Sequence, residues 1–375
     1  MINPTVQIRK IESYDLPALE EAVKSYFASV KGYKISRCKR VLIKPNALGA
    51  YPPDRAVTTH PIVLEAIIRY FLGRKKEVWL GDSPGGTVNV EKVWQVCGFS
   101  DLAERYPIKL VNLSTDGFRE QTYNGVKVKI SEVLWHCGIV INVAKYKTHG
   151  LVAYTGALKN LYGLVPGMVK TEYHRENPNA ASFANMLLAL YALTKHRVAY
   201  SFIDGIVGMD GLGPSAGTPR NFGLFMGSAS ISALDYTAAT MMGFKLSDVP
   251  YLSPALHQDG ILPSRISVPT SFRRYKIKDA DIRKVKLSMQ STKYVPAPLK
   301  FVLRKLFYFH PQVSLRCKRC GICYKSCPVK AITWEKGDKP FVHKDKCIKC
   351  MCCHELCPYG AIDIHKSLVA KLVMR

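Results

Sequence analysis

The sequence predicts an α/β fold over residues 1–260, a mostly parallel sheet flanked by helices, followed by a basic linker region at 261–312 and a small C-terminal α+β module at 313–375. Three observations lead there. Apolar segments of helical and of strand character alternate through the first region, the pattern of βα units and a parallel sheet. The periodicity then fails across 261–312, where Pro263, Pro269, Pro296, Pro298 and Pro311 punctuate a basic stretch. Beyond it, nine of the twelve cysteines crowd between 317 and 357.

In the first region Leu16, Leu19, Val23, Tyr26, Phe27 and Val30 recur at helical spacing behind Asp15 and Pro17, which suit a first turn. VLIKPN (41–46) reads as a buried strand ending in polar residues, HPIVLEAIIRYFL (60–72) as a proline-initiated helix, and VWLGDSPGG (78–86) as strand then loop. Further strands are expected at 138–144, 199–204 and 222–227, with helices around 179–195 and 231–243. In the linker region LKFVLRKLFYF (299–309) has the pattern of a basic amphipathic helix, more in keeping with packing between domains than with lying on a membrane.

With 375 residues, 47% of them hydrophobic, the chain can bury at least one large core. No uncharged apolar run reaches the roughly 18 to 20 residues of a spanning helix. The opening MINPTVQIRKIESYD carries charge where a signal peptide is apolar. A soluble cytoplasmic protein is therefore expected, with thiols kept reduced and free for metal. Cys38, Cys97 and Cys137, scattered upstream, read as ordinary buried cysteines.

Lys and Arg number 54 against 28 Asp and Glu, a formal charge of +26. Residues 271–330 alone hold 16 basic side chains and two acidic ones, Asp279 and Asp281. Such a field attracts acidic proteins, anionic lipid or nucleic acid. No helix-turn-helix or aromatic-interleaved motif supports the last of these.

The cysteine module is an internal repeat. CKRCGICYKSCPVKAI begins at Cys317 and CIKCMCCHELCPYGAI at Cys347, both C-x2-C-x2-C-x3-C-P, displaced by 30 residues. Three thiolates two residues apart wrap one cube, and the fourth points to the other cluster. The expectation is a bacterial-type 2[4Fe-4S] ferredoxin domain. One cluster takes Cys317, Cys320, Cys323 and Cys357, and the other takes Cys347, Cys350, Cys353 and Cys327. Zinc also accepts four thiolates, but its usual paired C-x2-C units leave no use for eight in this crossed arrangement. Cys352 falls outside the spacing and reads as a spare thiol. TWEKGDKPFVHKDK, between the halves, looks like a hairpin without evident chemistry.

Upstream, the conspicuous polar residues follow the expected strands: Lys44 and Asn46, Asp82 and Ser83, Lys145, Lys147 and His149, Asp204 and Asp210. Carboxyl ends of parallel strands share one crevice, so these segments are candidates for a single site. Strand ends that simply turn polar at solvent are the alternative. GDSPGG offers backbone N–H groups to an anion if a helix follows directly, or else only closes a turn. Lys159, Asn160, Lys170, His174 and Arg175 add donors suited to a multi-carboxylate or phosphate ligand, or to a solvated basic face. The GxGxxA spelled by Gly211, Gly213 and Ala216 lies within a loop carrying Pro214 and Pro219, so NAD or FAD is not expected.

VLIKPN, GDSPGG, INVAKYKTHGLVAYTGALKNLYGLVPG and FIDGIVGMDGLGPSAGTPRNFG resemble the domain of unknown function 362 proteins over about residues 35–250. Members of that family commonly carry an appended two-cluster ferredoxin module. The resemblance implies fold and architecture and no settled reaction. Two functions are thus expected to compete. In the first, an iron–sulfur oxidoreductase binds an anionic substrate through Lys44, Asn46, Asp82, Ser83, Lys159 and Asn160. There Lys145, Lys147 and His149 anchor or protonate it, and Asp204 and Asp210 orient it or handle protons. In the second, a non-catalytic carrier docks an acidic redox protein of ferredoxin or flavodoxin type.

Overall fold

The structure is a computed structural model and describes residues 3–28, 33–283, 285 and 309–367. The expected basic helix at 299–309 lies outside the described residues except for Phe309.

Strands β1 (Gln7–Lys10), β2 (Arg40–Lys44), β3 (Glu77–Asp82), β4 (Ile108–Asn112), β7 (Ile139–His149), β8 (Ala153–Thr155), β9 (Val198–Asp210) and β10 (Thr218–Ser228) form one eight-stranded sheet, with β5 (Phe118–Tyr123) and β6 (Val126–Ser131) as a separate hairpin. The sheet runs β1-β10-β9-β7-β2-β3-β4, with β8 alongside β7. From β9 to β4 every pairing is parallel. Helices separate the parallel strands in sequence, because a parallel return needs a crossover. β10 and β1 extend that sheet antiparallel. The short 211–217 turn allows nothing else, and it holds the GxGxxA spelling, as a link between two strands.

β7 is buried at all its positions, as a central parallel strand should be. One face of the sheet is covered by the helices Leu16–Ala28 and Pro61–Leu72: Tyr26 packs on Phe202 and Phe225, Phe27 on Phe202, and Phe71 against Phe27. The opposite face is covered by Ala180–Thr194 and Ile231–Met241. Cys38, Cys97 and Cys137 are buried and free.

Residues 261–283 stay with this body rather than leaving it. Val6 N–H donates to Ser267 O at 2.8 Å, and Ile277 N–H to Met241 O at 2.8 Å. The module proper starts at β11 (Phe309–Val313), which pairs with β14 (Ile362–Lys366), while β12 (Ile332–Thr333) and β13 (Phe341–Val342) make the expected hairpin. The 30-residue repeat is visible in the backbone. Positive φ recurs at Arg319 and Lys349, Gly321 and Met351, Lys330 and Gly360. Left-handed conformation is costly for most side chains, so the same tight loop has been built twice. No helix among the described residues is long and apolar enough to cross a membrane.

Candidate functional site

The strand ends do not form one crevice. They form two buried cells, and the first borders a cavity. In the first, Lys44 at the end of β2 pairs with Asp82 at the end of β3 at 3.1 Å, both side chains almost wholly enclosed. Asp82 also accepts from Ala47 N and Ser83 N, each at 2.8 Å. A carboxylate holding a cation and two N–H donors is a fixed corner. Asn46 Nδ2 donates to Asn160 Oδ1 at 3.0 Å, and Asn160 Nδ2 to Asn142 Oδ1 at 2.8 Å, so the two loops are cross-tied.

In the second cell Lys145 Nζ donates to Asp204 at 2.8 Å and to Tyr14 Oη at 2.9 Å. Tyr14 in turn donates to Asp204 at 3.0 Å and stacks on His60 at 3.5 Å between ring centroids. Burial, with Lys145 nearby, holds His60 neutral down to about 4. Lys147 donates to Val57 O at 2.6 Å, and burial drives its pKa far down. Asp210 is further away, accepting from Arg220 Nη1 and Asp281 N at 3.1 Å. These side chains do not line the cavity described next.

That cavity, of about 80 Å³, opens beside the first cell. Asn46, Asp82 and Ser83 line it from the strand ends, Lys159 and Asn160 from the turn Ala157–Asn160, and Lys170 and His174 from the helix Gly167–Glu176. Asp235 fixes the turn by accepting from Ala157 N at 2.6 Å and Leu158 N at 2.9 Å. Lys170 and His174 are four apart and so share a helix face. Part of the wall comes from the cysteine module: Cys352, Glu355 and Leu356, on the helix Cys352–Leu356.

Burial governs the ionisation here. It pushes Lys170 down to about 7, with Asp82 opposing and Lys44 and Lys159 assisting. It lowers Lys159 too, against the pull of Glu355 and Cys352. His174 falls to about 3, and its Nδ1, like Asn46 Oδ1, has no hydrogen-bond partner among the described residues. Glu355 is raised by burial, with Lys159 and Lys147 opposing. Its Oε1 lies 3.6 Å from Nε2 of His149, whose own charging burial also suppresses.

GDSPGG does not precede a helix directly. The next one is Val90–Val96, capped by Asn89. The loop packs against the module instead. A Cβ on Gly85 would come within 2.9 Å of Leu356, and one on Gly86 would strike Ser326.

In the module, Cys317, Cys320, Cys323 and Cys357 together line one small enclosed space. Backbone N–H groups point at sulfur in matching places: Arg319 N to Cys317 at 3.3 Å, Lys349 N to Cys347 at 3.4 Å, Ala331 N to Cys327 at 3.2 Å and Ala361 N to Cys357 at 3.2 Å. Thiolates bridged to iron accept such bonds, so the donor set fits an iron–sulfur group.

Comparison with known proteins agrees. The model of a domain of unknown function, DUF362, matches residues 41–240, more than half of the chain, and a 4Fe-4S dicluster domain matches 316–361. The chain belongs to the DUF362 family and carries an iron–sulfur ferredoxin domain, with an electron-transfer role. It is 27% identical over 282 residues to a thylakoid-associated protein of Synechocystis sp., covering 73% of this chain and 86% of that one. Among solved structures, the lactate racemase apoprotein from Thermoanaerobacterium thermosaccharolyticum matches at a TM-score of 0.41 and 15% identity, over 64% of this chain and only 57% of the racemase.

The expected substrate residues Asn46, Asp82, Ser83, Lys159 and Asn160 thus meet at one cavity, with Lys44 beneath them. Of the expected catalytic residues, Lys145, Asp204 and Asp210 are engaged elsewhere, Lys147 donates to Val57 O while opposing the rise in the pKa of Glu355, and His149 lies 3.6 Å from Glu355 without lining the cavity. Glu355 had no local signal. Cys352 had one, as a ninth cysteine where eight suffice.

Proposed function

We infer that this protein is an iron–sulfur oxidoreductase that holds a small anionic organic molecule in the cavity between the α/β domain and the ferredoxin module. Two [4Fe-4S] clusters, on Cys317, Cys320, Cys323 and Cys357 and on Cys347, Cys350, Cys353 and Cys327, would supply or accept electrons one at a time. One observation carries the reading. The cavity wall is shared between donors of the α/β domain and Cys352 and Glu355, which flank the cluster ligand Cys353.

Lys159 and Lys170 anchor the anion, Asn46 and Asn160 orient it, and Lys170, with a pKa of about 7, can give up a proton near neutrality. The volume limits the ligand. It is roughly half of the 150 Å³ cavity that accommodates benzene, so a carboxylate of a few non-hydrogen atoms suits it. Acetate, pyruvate and lactate titrated anaerobically into the cluster-loaded protein should bind, and Lys159→Met and Lys170→Met should each weaken binding about tenfold or more at pH 6. Wild-type affinity in both variants would overturn the assignment.

A further inference from the structure

The hairpin between the cysteine halves bears on a different surface. β13 and β11 border a groove of about 360 Å³ whose apolar lining includes Pro311, Val313, Pro340 and Phe341, with Lys339 and Lys344 at its edge. Phe341 is 63% exposed and adds its ring to the apolar lining contributed by Pro311, Val313 and Pro340. Pro340 also lines the space enclosed by Cys317, Cys320, Cys323 and Cys357, so the groove and that space share a wall residue. Lys318 and the exposed Tyr359 stand at the same space.

The module that carries the groove is basic, with Asp338 and Asp345 the acids that adjoin Lys339 and Lys344 in sequence. Residues 309–367 carry eleven Lys or Arg against five Asp or Glu. Of those acids, Glu355 is turned into the cavity wall and Asp363 is paired with Arg316. An apolar hollow with a basic rim beside redox-active sulfur fits a protein that is acidic where it touches and exchanges single electrons.

We propose that this groove is the docking site of an acidic one-electron carrier protein, so the module faces its electron partner through the first cysteine set and the cavity through Cys352 on the other. The hollow takes a protruding side chain of the carrier, and Lys318, Lys339 and Lys344 steer it. A flat anionic bilayer would meet the lysines without filling the groove. The docking surface is independent of what the cavity binds, so either assignment can fail alone.

The test measures association of the cluster-loaded, oxidised protein with an acidic flavodoxin by calorimetry at low and moderate ionic strength. Affinity should fall as salt rises. Lys339→Glu with Lys344→Glu should weaken binding at least about tenfold, and Lys339→Arg with Lys344→Arg should restore it. Phe341→Ala should weaken binding at both salt concentrations, since its contribution is burial. Iron content and the visible absorption of each variant check the module. If charge reversal costs the clusters, Phe341→Ala decides by the same criterion. Salt-independent wild-type affinity, unchanged affinity in the variants, or binding to anionic phosphatidylserine vesicles but not to flavodoxin would overturn the proposal.

Discussion

The hydroxyl of Tyr51 stands 2.9 Å from the carbonyl oxygen of Cys357 and 2.9 Å from that of Glu355. One buried phenol of the α/β domain therefore pins the chain end of the helix that faces the cavity and the cysteine that crosses to the first thiolate set. Tyr51→Phe keeps the packing and leaves both carbonyls without this donor, a cost of about 1–3 kcal/mol. The module should then be cut by protease before the α/β domain at temperatures where the wild type resists. Identical cleavage profiles would mean that Tyr51 contributes nothing to the seam.

Gly86 tests the same seam sterically. It has φ of 65°, and a Cβ there would lie 2.9 Å from Leu356 and collide with Ser326 Oγ. Gly86→Ala combines an unfavourable backbone with overpacking, roughly 1–3 kcal/mol in all. Since the loop and Leu356 both line the cavity, carboxylate affinity should fall while iron content stays at the wild-type level. A variant with normal affinity would show that the loop adjusts freely.

Much of the scaffold was legible from local pattern. Helical spacing at 15–30, 60–72, 179–195 and 231–243 returns as Leu16–Ala28, Pro61–Leu72, Ala180–Thr194 and Ile231–Met241. The sorting of polar residues into two cells was not, for two reasons. β7 pairs Lys145 with Asp204 but Lys147 with Met209, so β9 spends five residues where β7 spends two. Such an irregularity re-aims side chains that simple alternation puts together. And Glu355 reaches the cavity from some 200 residues beyond Lys159 and Asn160, a contact that no spacing rule encodes.

Cys352 and Cys353 are neighbours with opposite expected roles. Cys352 lines the cavity, and Cys353 packs among the module's other cysteines. Cys352→Ser should retain about eight iron atoms per chain, with a changed carboxylate affinity. Cys353→Ser should lose or convert one cluster, seen by iron analysis and electron paramagnetic resonance. Loss of iron in Cys352→Ser would reassign the second quartet.

Lys170 gives the site a pH dependence with a definite sign. Its folded pKa of about 7 lies below the ordinary 10.5. The folded chain therefore sheds this proton between those values while the unfolded chain keeps it. The cost of burying the charge is felt below pH 7, and the contribution of Lys170 to stability improves as pH rises from about 7 to 10.5. Anion binding runs the other way, because the ammonium is the attractive form. Affinity for a short carboxylate should be high at pH 6 and decline as pH passes through 7, with proton uptake on binding near the midpoint. His174, already neutral above about 3, adds no titration in that window. Lys170→Met should give weaker binding without the decline centred near pH 7. Lys170→Arg, whose charge persists, should also lack that decline but bind more strongly. A wild-type affinity flat between pH 6 and 8 would assign the anion contact to Lys159 alone.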